Sequence, residues 1–147
     1  MPGQFLPLRL DIPGSPKPVN RTYSLSDSPG RDYYRLTIKR EPPPKDQPDA
    51  PAGLSSNYFH DNLKPGSHLR TRSPRGKFYL DPKGQSPLAL VSAGVGLTPM
   101  ISMLNAVVEC GAERPLWFVH GARNGAEHAM AAHVRRVAAE NDYVNCY

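Results

Sequence analysis

The feature that most constrains the fold is a strand pattern in the second half of the chain that runs directly into a helix start. Leu88–Ala93 is apolar apart from Ser92, and Gly94-Val95-Gly96 and Thr98-Pro99 follow closely. A short apolar run is typical of a strand buried in a parallel sheet. Pro is favoured at the first helical position, where its missing N–H has no partner in any case. The segment therefore predicts a buried strand, a tight turn and a helix capped by Thr98.

The residues after this turn continue the alternation of helices and strands. Apolar residues at helical spacing predict one buried face, made of Met100, Met103, Leu104 and Val107. Gly111 is placed to end that helix. Leu116–His120 is predicted as a second strand, residues 126–140 as a second helix and Tyr143–Tyr147 as a third strand. This order predicts a right-handed, parallel, three-stranded sheet.

The first half of the chain instead indicates short strands separated by turns. The predicted strands are Gln4–Leu10, Arg21–Ser26, Tyr33–Arg40, His68–Ser73 and Lys77–Leu80. Residues 42–51 hold five prolines and predict an extended, solvated loop. A short helix over Ser56–Leu63 is expected, with Ser55 or Ser56 as its cap. The change of pattern predicts two units, residues 1–84 and 85–147, that meet at the turn Asp81–Gly84.

Composition excludes several classes of protein. The 17 prolines and 12 glycines argue against a long coiled coil, and no apolar run approaches the length of a membrane span. The net charge is +5, but the basic residues are mostly scattered, which favours a solvated face or a site for a phosphate-bearing small molecule over nucleic acid. The N-terminus lacks the pattern of a signal peptide. Cys110 and Cys146 have neither metal-site nor disulfide spacing, which predicts a reducing cytoplasm.

Three segments are candidates for binding phosphate. Gly94–Thr98 offers glycines and a helix N-terminus, which suit a pyrophosphate, although Pro99 replaces the third glycine of the dinucleotide fingerprint. In the second segment, Arg21 and Tyr23 share one face of a strand, where an Arg can bind phosphate and a Tyr ring can contact a flat heterocycle. Gly53–Tyr58 is the third. Each has a plain structural alternative, respectively a ligand-free turn, an ordinary strand and simple N-capping.

Eight segments taken together are more specific than any one of them. They are Pro2–Phe5, Arg21–Ser26, Tyr33–Arg35, Lys39–Glu41, Gly53–Asp61, Pro74–Phe78, Val91–Met100 and His120–Asn124. In order and spacing they resemble the ferredoxin–NADP reductase superfamily, and within it the FAD- and NAD(P)-binding reductase region of flavohaemoglobins. The resemblance covers nearly the whole chain, and the segment 53–61 points to the flavohaemoglobin branch.

The resemblance implies a six-stranded antiparallel FAD-binding barrel followed by a parallel-sheet nucleotide-binding domain. Measured against that pattern, the chain begins inside the barrel, without its first strand, and stops at the third strand of the nucleotide domain. The later Cys-Gly-Pro segment of the family is absent. The sequence is therefore expected to be a fragment of a two-domain reductase.

Residue roles follow from the same resemblance. Arg21 is expected to contact the FAD pyrophosphate, Tyr23 to pack on the isoalloxazine ring and Ser24 to hydrogen-bond near flavin N5, so that Tyr23 and Ser24 are the predicted catalytic pair. The remaining predicted cofactor-binding residues are Phe5, Thr22, Ser56, Gly94, Val95, Gly96, Leu97 and Thr98. Simple strand alternation would turn Ser24 away from Tyr23, so the strand is expected to twist there.

The reaction implied is hydride transfer from NAD(P)H to FAD, followed by release of electrons to an acceptor. The acceptor is haem if a globin domain lies upstream, as in nitric oxide dioxygenases, and another redox partner otherwise. No metal site is expected and none of the five histidines is assigned a catalytic role. Arg123 is placed either near a 2′-phosphate or on the plain surface. Two alternatives stay open: a non-catalytic remnant that binds cofactor weakly, and an oxygenase reductase, whose iron–sulfur cluster would need four Cys where this chain has two.

Overall fold

The computed structural model describes all residues from 1 to 147 and contains two sheets, one antiparallel and one parallel. The strands are β1 (Phe5–Leu10), β2 (Val19–Ser24), β3 (Arg70–Thr71), β4 (Leu88–Ala93), β5 (Leu116–Gly121) and β6 (Val144–Cys146). The helices are α1 (Leu54–Asn62), α2 (Leu97–Glu109) and α3 (Ala131–Glu140). No helix is both long and apolar enough to cross a membrane.

The antiparallel sheet has the order β2-β1-β3 and buries one face of its central strand. Leu6, Leu8 and Leu10 alternate with exposed or half-buried neighbours and are almost fully buried. Period-2 alternation places such residues on one side of a strand, and they form a small core with Ile12 and Leu25. This antiparallel sheet corresponds to the FAD-binding part of the expected fold, although the six regular strands that the resemblance implies do not all form. Three of its strands pair regularly, while two further contacts are single bridges, Phe5–Arg75 and Leu25–Leu36.

The parallel sheet has the order β4-β5-β6, and α2 and α3 cover one of its faces. Leu90, Leu116 and Phe118 pack there against the apolar stripe of α2, which confirms the predicted helix face. Gly111, at a φ of +68°, follows the helix end as expected. The strand predicted at Leu88–Ala93 is confirmed as β4, but it is buried on one face only, because both helices lie on one side. Val91 on the other side is 64% exposed.

The predicted strand at Tyr33–Arg40 is wrong, since it has one bridge, at Leu36, and no ladder. The Arg35 carbonyl accepts the backbone N–H of Ser26 at 2.9 Å, which belongs to the single bridge, but the next carbonyl toward the C-terminus that has a partner, that of Ile38, contacts the side-chain Nε2 of His60 at 2.9 Å. A backbone satisfied by side chains has no need of a neighbouring strand.

The strands predicted at His68–Ser73 and Lys77–Leu80 are also corrected. The first shortens to β3, and the second does not form. Pro7 in β1 has no N–H to donate, so it only accepts, from the N–H of Arg72 and the hydroxyl of Thr71. Gly76, at a φ of +119°, then turns the chain away from the sheet.

Two of the three helices begin before the predicted residue and one begins after it. α1 starts at Leu54, and its N-cap is Gly53 instead of Ser55 or Ser56. α2 starts at Leu97, and its N-cap is Gly96 instead of Thr98, because a 3₁₀ turn over Gly94–Gly96 leads straight into the helix.

The segment predicted as a helix over 126–140 is helical only as α3, from Ala131 onward. Met130 adopts a φ of +58°, which an α-helix does not contain, and it separates α3 from a 3₁₀ turn at Gly125–Glu127. Asn124 accepts a hydrogen bond from the backbone N–H of Glu127 at 3.1 Å and so caps that turn. The predicted division of the chain at residue 84 stays a prediction.

Candidate functional site

A cleft of about 410 Å³ opens where the end of β2 faces the start of α1 and the start of α2. Its walls hold most of the residues predicted from the second and third phosphate-binding segments, and Val95 and Thr98 from the first. They are Arg21, Thr22, Tyr23, Ser24, Thr37, Ile38, Lys39, Glu41, Gly53, Leu54, Ser55, Ser56, Val95 and Thr98. Because residues from both units line it, we call it the shared cleft.

Arg21 lies exposed on the wall of the shared cleft and forms no salt bridge. The only hydrogen bond of its side chain within the protein runs from Nη1 to the Asn20 carbonyl, at 2.8 Å. A guanidinium carries five N–H donors in a planar fork, so most of them are free. Arg21 can therefore bind a phosphate without first giving up a carboxylate partner.

Tyr23 and Ser24 both line the shared cleft, although strand alternation alone would separate them. β2 ends at Ser24, so regular alternation stops at that residue. The Tyr23 ring is half-buried and meets Phe59 edge-on at a centroid distance of 5.2 Å. Burial raises the pKa of Tyr23, and the positive charge of Arg21 offsets this only in part. The phenol is therefore neutral at physiological pH.

Ser55 is a polar residue of the cleft that the sequence motifs did not identify as a ligand. It is 5% exposed, and its hydroxyl is buried without any hydrogen-bond partner. Neighbouring Ser56, the predicted ligand, lines the same cleft, but its hydroxyl donates to the Gly53 carbonyl and accepts from the N–H of Glu41. The unpartnered Ser55 hydroxyl is thus the freer of the two donors. Only its position next to Ser56 in the motif signalled it.

A second cleft of about 250 Å³ adjoins the shared cleft on the side of the parallel sheet. The two have Thr37–Lys39, Val95 and Thr98 in common, and the second adds Gly94, Leu97, Ala126, Glu127 and Ala129. Gly94 has a φ of +53°, and a Cβ built there would meet no atom within 4 Å. The Gly94 backbone therefore faces open space, as close approach of a ligand requires. Gly96 lines neither cleft.

Charged side chains stand at the junction of the two clefts. Lys39 Nζ lies 3.5 Å from Glu127 Oε2 and 3.9 Å from Glu41. Arg123 also bonds Glu127, from Nη2 at 2.7 Å. Hydrogen bonding to Arg123 lowers the pKa of Glu127 more than its partial desolvation raises it, and the charges of Arg123 and Lys39 lower it further. Lys39 stands in one of the eight motif segments but was assigned no binding role, because a charged residue at a loop is usually only solvated.

Phe5 is the one predicted cofactor-binding residue of the barrel that does not line the shared cleft. Its ring lies against Gly76 in a separate groove of about 680 Å³. That groove is basic and also contains Arg9, Arg21, Arg70, Arg72 and Arg75. Arg21 and Thr22 line both spaces, so the groove and the shared cleft meet at β2.

His120 is a buried histidine at the carboxyl end of β5. Its Nδ1 lies 2.9 Å from Ser92 Oγ, and its Nε2 is buried without a partner. The His128 ring lies 5.0 Å away. Desolvation lowers the pKa of His120, and the nearby His128 lowers it further. No group of three or more His, Cys, Asp or Glu side chains is arranged to hold a metal ion.

We expect the free energy of unfolding to fall as the pH drops from 7.5 through 6.5. Desolvation is the main cause of a lowered pKa at both His120 and His133, so the unfolded chain takes up protons before the folded chain does. The contribution of the two neutral histidines to the free energy of unfolding is then fully present above pH 6.5, the ordinary pKa of histidine, and is lost as the pH falls below it. Urea unfolding at pH 7.5 and 5.5 measures the difference. His120→Gln should reduce it, whereas His68→Gln, at an exposed residue, should not. Equal pH dependence in all three proteins would contradict this origin.

Comparisons with known proteins assign the two halves of the chain to two families of domain. Residues 1–79 match the family model of the oxidoreductase FAD-binding domain, and residues 90–147 match that of the oxidoreductase NAD-binding domain. The chain therefore belongs to the oxidoreductases that join an FAD-binding domain to an NAD-binding domain.

Curated relatives of this chain include flavohemoproteins. The chain is 43% identical over 147 residues to that of Bacillus thuringiensis subsp. konkukian and 40% identical over 139 residues to that of Deinococcus radiodurans. These matches cover 100% and 95% of this chain but 36% and 32% of the relatives. The chain thus spans about a third of the length of the curated relatives it matches.

Solved structures confirm the fold. The flavohem-like FAD/NAD-binding domain of nitric oxide dioxygenase from Vibrio cholerae superposes with a TM-score of 0.85 at 30% identity, over 97% of this chain and 58% of that one. A ferredoxin–NADP⁺ reductase from Plasmodium falciparum, at 16% identity, gives 0.82 over 100% of this chain and 58% of that one. The latter likeness concerns the fold alone.

Proposed function

We propose that this chain binds FAD and NAD(P)H and is a reductase module that passes electrons from NAD(P)H through FAD to a haem or another acceptor. The observation that carries the proposal is the continuity of the two clefts, which share walls at Thr37–Lys39, Val95 and Thr98. One cleft lies at the predicted FAD residues and the other at the predicted NAD(P) loop. Two redox cofactors must meet for a hydride to pass between them.

The residues of the shared cleft fit FAD. Arg21 would bind the pyrophosphate with its unoccupied donors, and the unpartnered hydroxyl of Ser55 offers a further hydrogen bond. The N–H groups at the start of α1 favour the same negative charge, and Ser56 lies among them. When bound, FAD would take up a hydride from the nicotinamide and release its electrons singly.

The side chains of β2 would contact the flavin ring system. Tyr23 is neutral and presents a flat, half-buried ring, which suits packing on a heterocycle and excludes water from it. Ser24 would donate or accept a hydrogen bond at the ring edge, and Thr22 lies between Arg21 and Tyr23 on the same wall. Phe5 would reach the cofactor only where the basic groove meets β2.

The loop before α2 fits the nicotinamide nucleotide. Gly94 leaves its backbone open to the second cleft, and Val95, Leu97 and Thr98 line that cleft. Gly96 would act through its backbone as the N-cap of α2. The N–H groups of that helix start supply partial positive charge for the dinucleotide phosphates.

The acceptor and the location of the protein extend the same proposal. The relatives are named flavohemoproteins, which favours haem in a globin domain of a longer protein as the acceptor and nitric oxide dioxygenase chemistry for the whole. Cys110 and Cys146 are free thiols. Free thiols favour the reducing cytoplasm as its location.

Spectroscopy of the purified chain tests the proposal. The protein should bind added FAD stoichiometrically, show the visible absorbance of bound flavin and lose that absorbance when NADH or NADPH is added without oxygen. A protein that binds no FAD at micromolar concentration, or whose bound flavin is not reduced by either nucleotide, would contradict it. Reduction by dithionite serves as the control for flavin that is bound and accessible.

Gly94→Ala should lower the rate of flavin reduction at subsaturating nucleotide by about tenfold, since a methyl group would enter the space that the loop leaves open. FAD binding should be unchanged. The control is Gly14→Ala, because Gly14 also has a positive φ, of +80°, and open space around it but lies in a remote turn. Both variants carry the same backbone strain, of about 1–2 kcal/mol. Equal reduction rates in the two variants would remove Gly94 from the site.

A further inference from the structure

Asp27 is a buried carboxylate at the place where the antiparallel unit meets α2. The residue is 8% exposed. Its side chain accepts hydrogen bonds from the N–H of Ser28 at 2.9 Å, from Asn105 Nδ2 at 2.8 Å and from the Tyr33 hydroxyl at 2.9 Å. Arg35 Nη1 lies 3.2 Å from the same carboxylate. Three of these partners belong to the antiparallel unit, and Asn105 belongs to α2.

The backbone of Asp27 makes a second connection to α2. Ser102 Oγ donates to the Asp27 carbonyl at 2.6 Å and accepts from the N–H of Gly3 at 3.4 Å. Ser102 is 1% exposed. One face of α2 is therefore fixed to the antiparallel unit at Ser102 and Asn105, which lie one turn apart. Glu109, at the end of the helix, adds bonds from Ser28 and Arg31.

The same network continues into α3. Asn105 Oδ1 lies 2.8 Å from His133 Nε2, and His133 Nδ1 lies 3.1 Å from Arg136 Nη2. An amide oxygen only accepts and a guanidinium only donates. His133 is therefore neutral, with its proton on Nε2. Asp27 is thereby connected through Asn105 to both helices that cover the parallel sheet.

The carboxylate is charged where it lies. Burial would raise the pKa of Asp27, but hydrogen bonds from Asn105, Tyr33 and Ser28, together with the positive charge of Arg35, outweigh burial and lower it. A buried charge is tolerated only while its partners stay in place. The network therefore has one favourable arrangement, and displacement of α2 would break it.

The position of Asp27 connects this network to both clefts. Asp27 follows the end of β2 by three residues, and β2 carries Arg21–Ser24. Ser102 and Asn105 lie in the same rigid helix that begins at Leu97. Fixing Asp27 to that helix therefore fixes the Gly94–Thr98 loop relative to the end of β2.

We propose that Asp27 is a positioning residue, whose buried carboxylate holds α2 against the antiparallel unit and so sets the alignment of the two cofactor clefts. The proposal rests on the proposed function for its catalytic consequence, but not for its structural one. Asp27 itself lines neither cleft. It would act through α2 and not by contact with a cofactor.

Asp27→Asn tests the proposal, because it keeps the shape of the side chain but removes its charge and gives Tyr33 and Arg35 a donor to face. Asp32→Asn is the matched control, since Asp32 is exposed, lies nearby and has the same chemistry. FAD affinity should change less than twofold in both. The rate of flavin reduction at saturating NADH should fall about 10- to 100-fold in Asp27→Asn only, because misalignment by about 1 Å costs rate of that order.

Amide hydrogen exchange gives a readout that needs no cofactor. Exchange should speed up in Leu97–Asn105 of Asp27→Asn and stay at the wild-type rate in β1 and β5. The proposal would be overturned if exchange in Asp27→Asn changed equally in Leu97–Asn105, β1 and β5, or did not change in any of them. A flavin reduction rate in Asp27→Asn equal to that in Asp32→Asn would overturn it as well. Should Asp27→Asn fail to fold, Asn105→Ala removes the hydrogen bond between Asn105 and the Asp27 carboxylate by changing the partner on α2. The same changes in reduction rate and amide exchange are expected for that variant. A wild-type chain that binds no FAD would end the proposed function, while the exchange result would still decide the role of Asp27.

Discussion

Arg21→Ala is expected to weaken FAD binding about 10- to 100-fold, because a hydrogen bond to a charged group contributes about 1.5–3 kcal/mol. The guanidinium has one backbone partner and no carboxylate partner in the protein. Its binding capacity is therefore available to a ligand, and its removal leaves no buried group unpaired. The dissociation constants are measured by adding FAD to the FAD-free protein and monitoring the quenching of flavin fluorescence.

Two further variants test whether the effect comes from the bidentate guanidinium at position 21 or from the loss of any positive charge. Arg21→Lys keeps the charge but loses bidentate geometry, so its affinity should lie between wild type and Arg21→Ala. Arg135→Ala removes the same charge from an exposed position on α3 and should bind FAD like the wild type. Equal FAD affinity in Arg21→Ala and Arg135→Ala would contradict a role for Arg21 in binding.

The second half of the chain was the more predictable one, for a physical reason. Its strands and helices are long enough for periodicity to show, and the faces of Met103 and Val107 or of Leu116 and Phe118 are buried as the pattern indicates. The pattern did not show that β4 is covered on one face only. An apolar run records hydrophobicity, and the number of covering layers depends on elements elsewhere in the chain.

The first half was harder, because its strands depend on partners that local sequence does not specify. Tyr33–Arg40 has the alternation of a strand, yet it keeps only one bridge, beside the bond from the Ser26 N–H to the Arg35 carbonyl, and the His60 side chain satisfies the Ile38 carbonyl. The predictions of the helix N-caps were wrong for a related reason. At the start of α1 the chain uses the backbone of Gly53, and the hydroxyl of Ser56 turns back to bond Gly53 and Glu41.

The residues of the candidate site also fall into two groups, those that the sequence identified and those that it did not. Arg21–Ser24 and the Gly94–Thr98 loop were identified from sequence because each is a contiguous segment with its own chemistry. Lys39 stood in a motif segment without a role and Asp27 stood in none, since their importance arises from residues distant in sequence, such as Glu127 and Asn105. Side-chain partners at that separation are determined by the fold and leave no local pattern.

Gly3→Ala is expected to cause the largest loss of stability. Gly3 has a φ of +97°, and a Cβ built there would lie 2.4 Å from Met103 Cε and 2.7 Å from the Phe78 carbonyl oxygen. The Met103 methyl can move, but the Phe78 backbone is less free to do so. Left-handed strain costs about 1–3 kcal/mol and overpacking about another 1–3 kcal/mol. The free energy of unfolding should therefore fall by about 2–6 kcal/mol, measured by urea unfolding.

Gly66→Ala separates these two contributions. Gly66 has a similar φ, of +89°, but a Cβ there would meet no atom within 4 Å. It should therefore show the backbone strain without the overpacking. The difference between the two variants then measures the contact of Gly3 with Met103 and Phe78, which joins the antiparallel unit to α2 beside the Ser102 hydrogen bond. Equal losses would mean that this contact relaxes freely and that the two units are not tightly packed at Gly3.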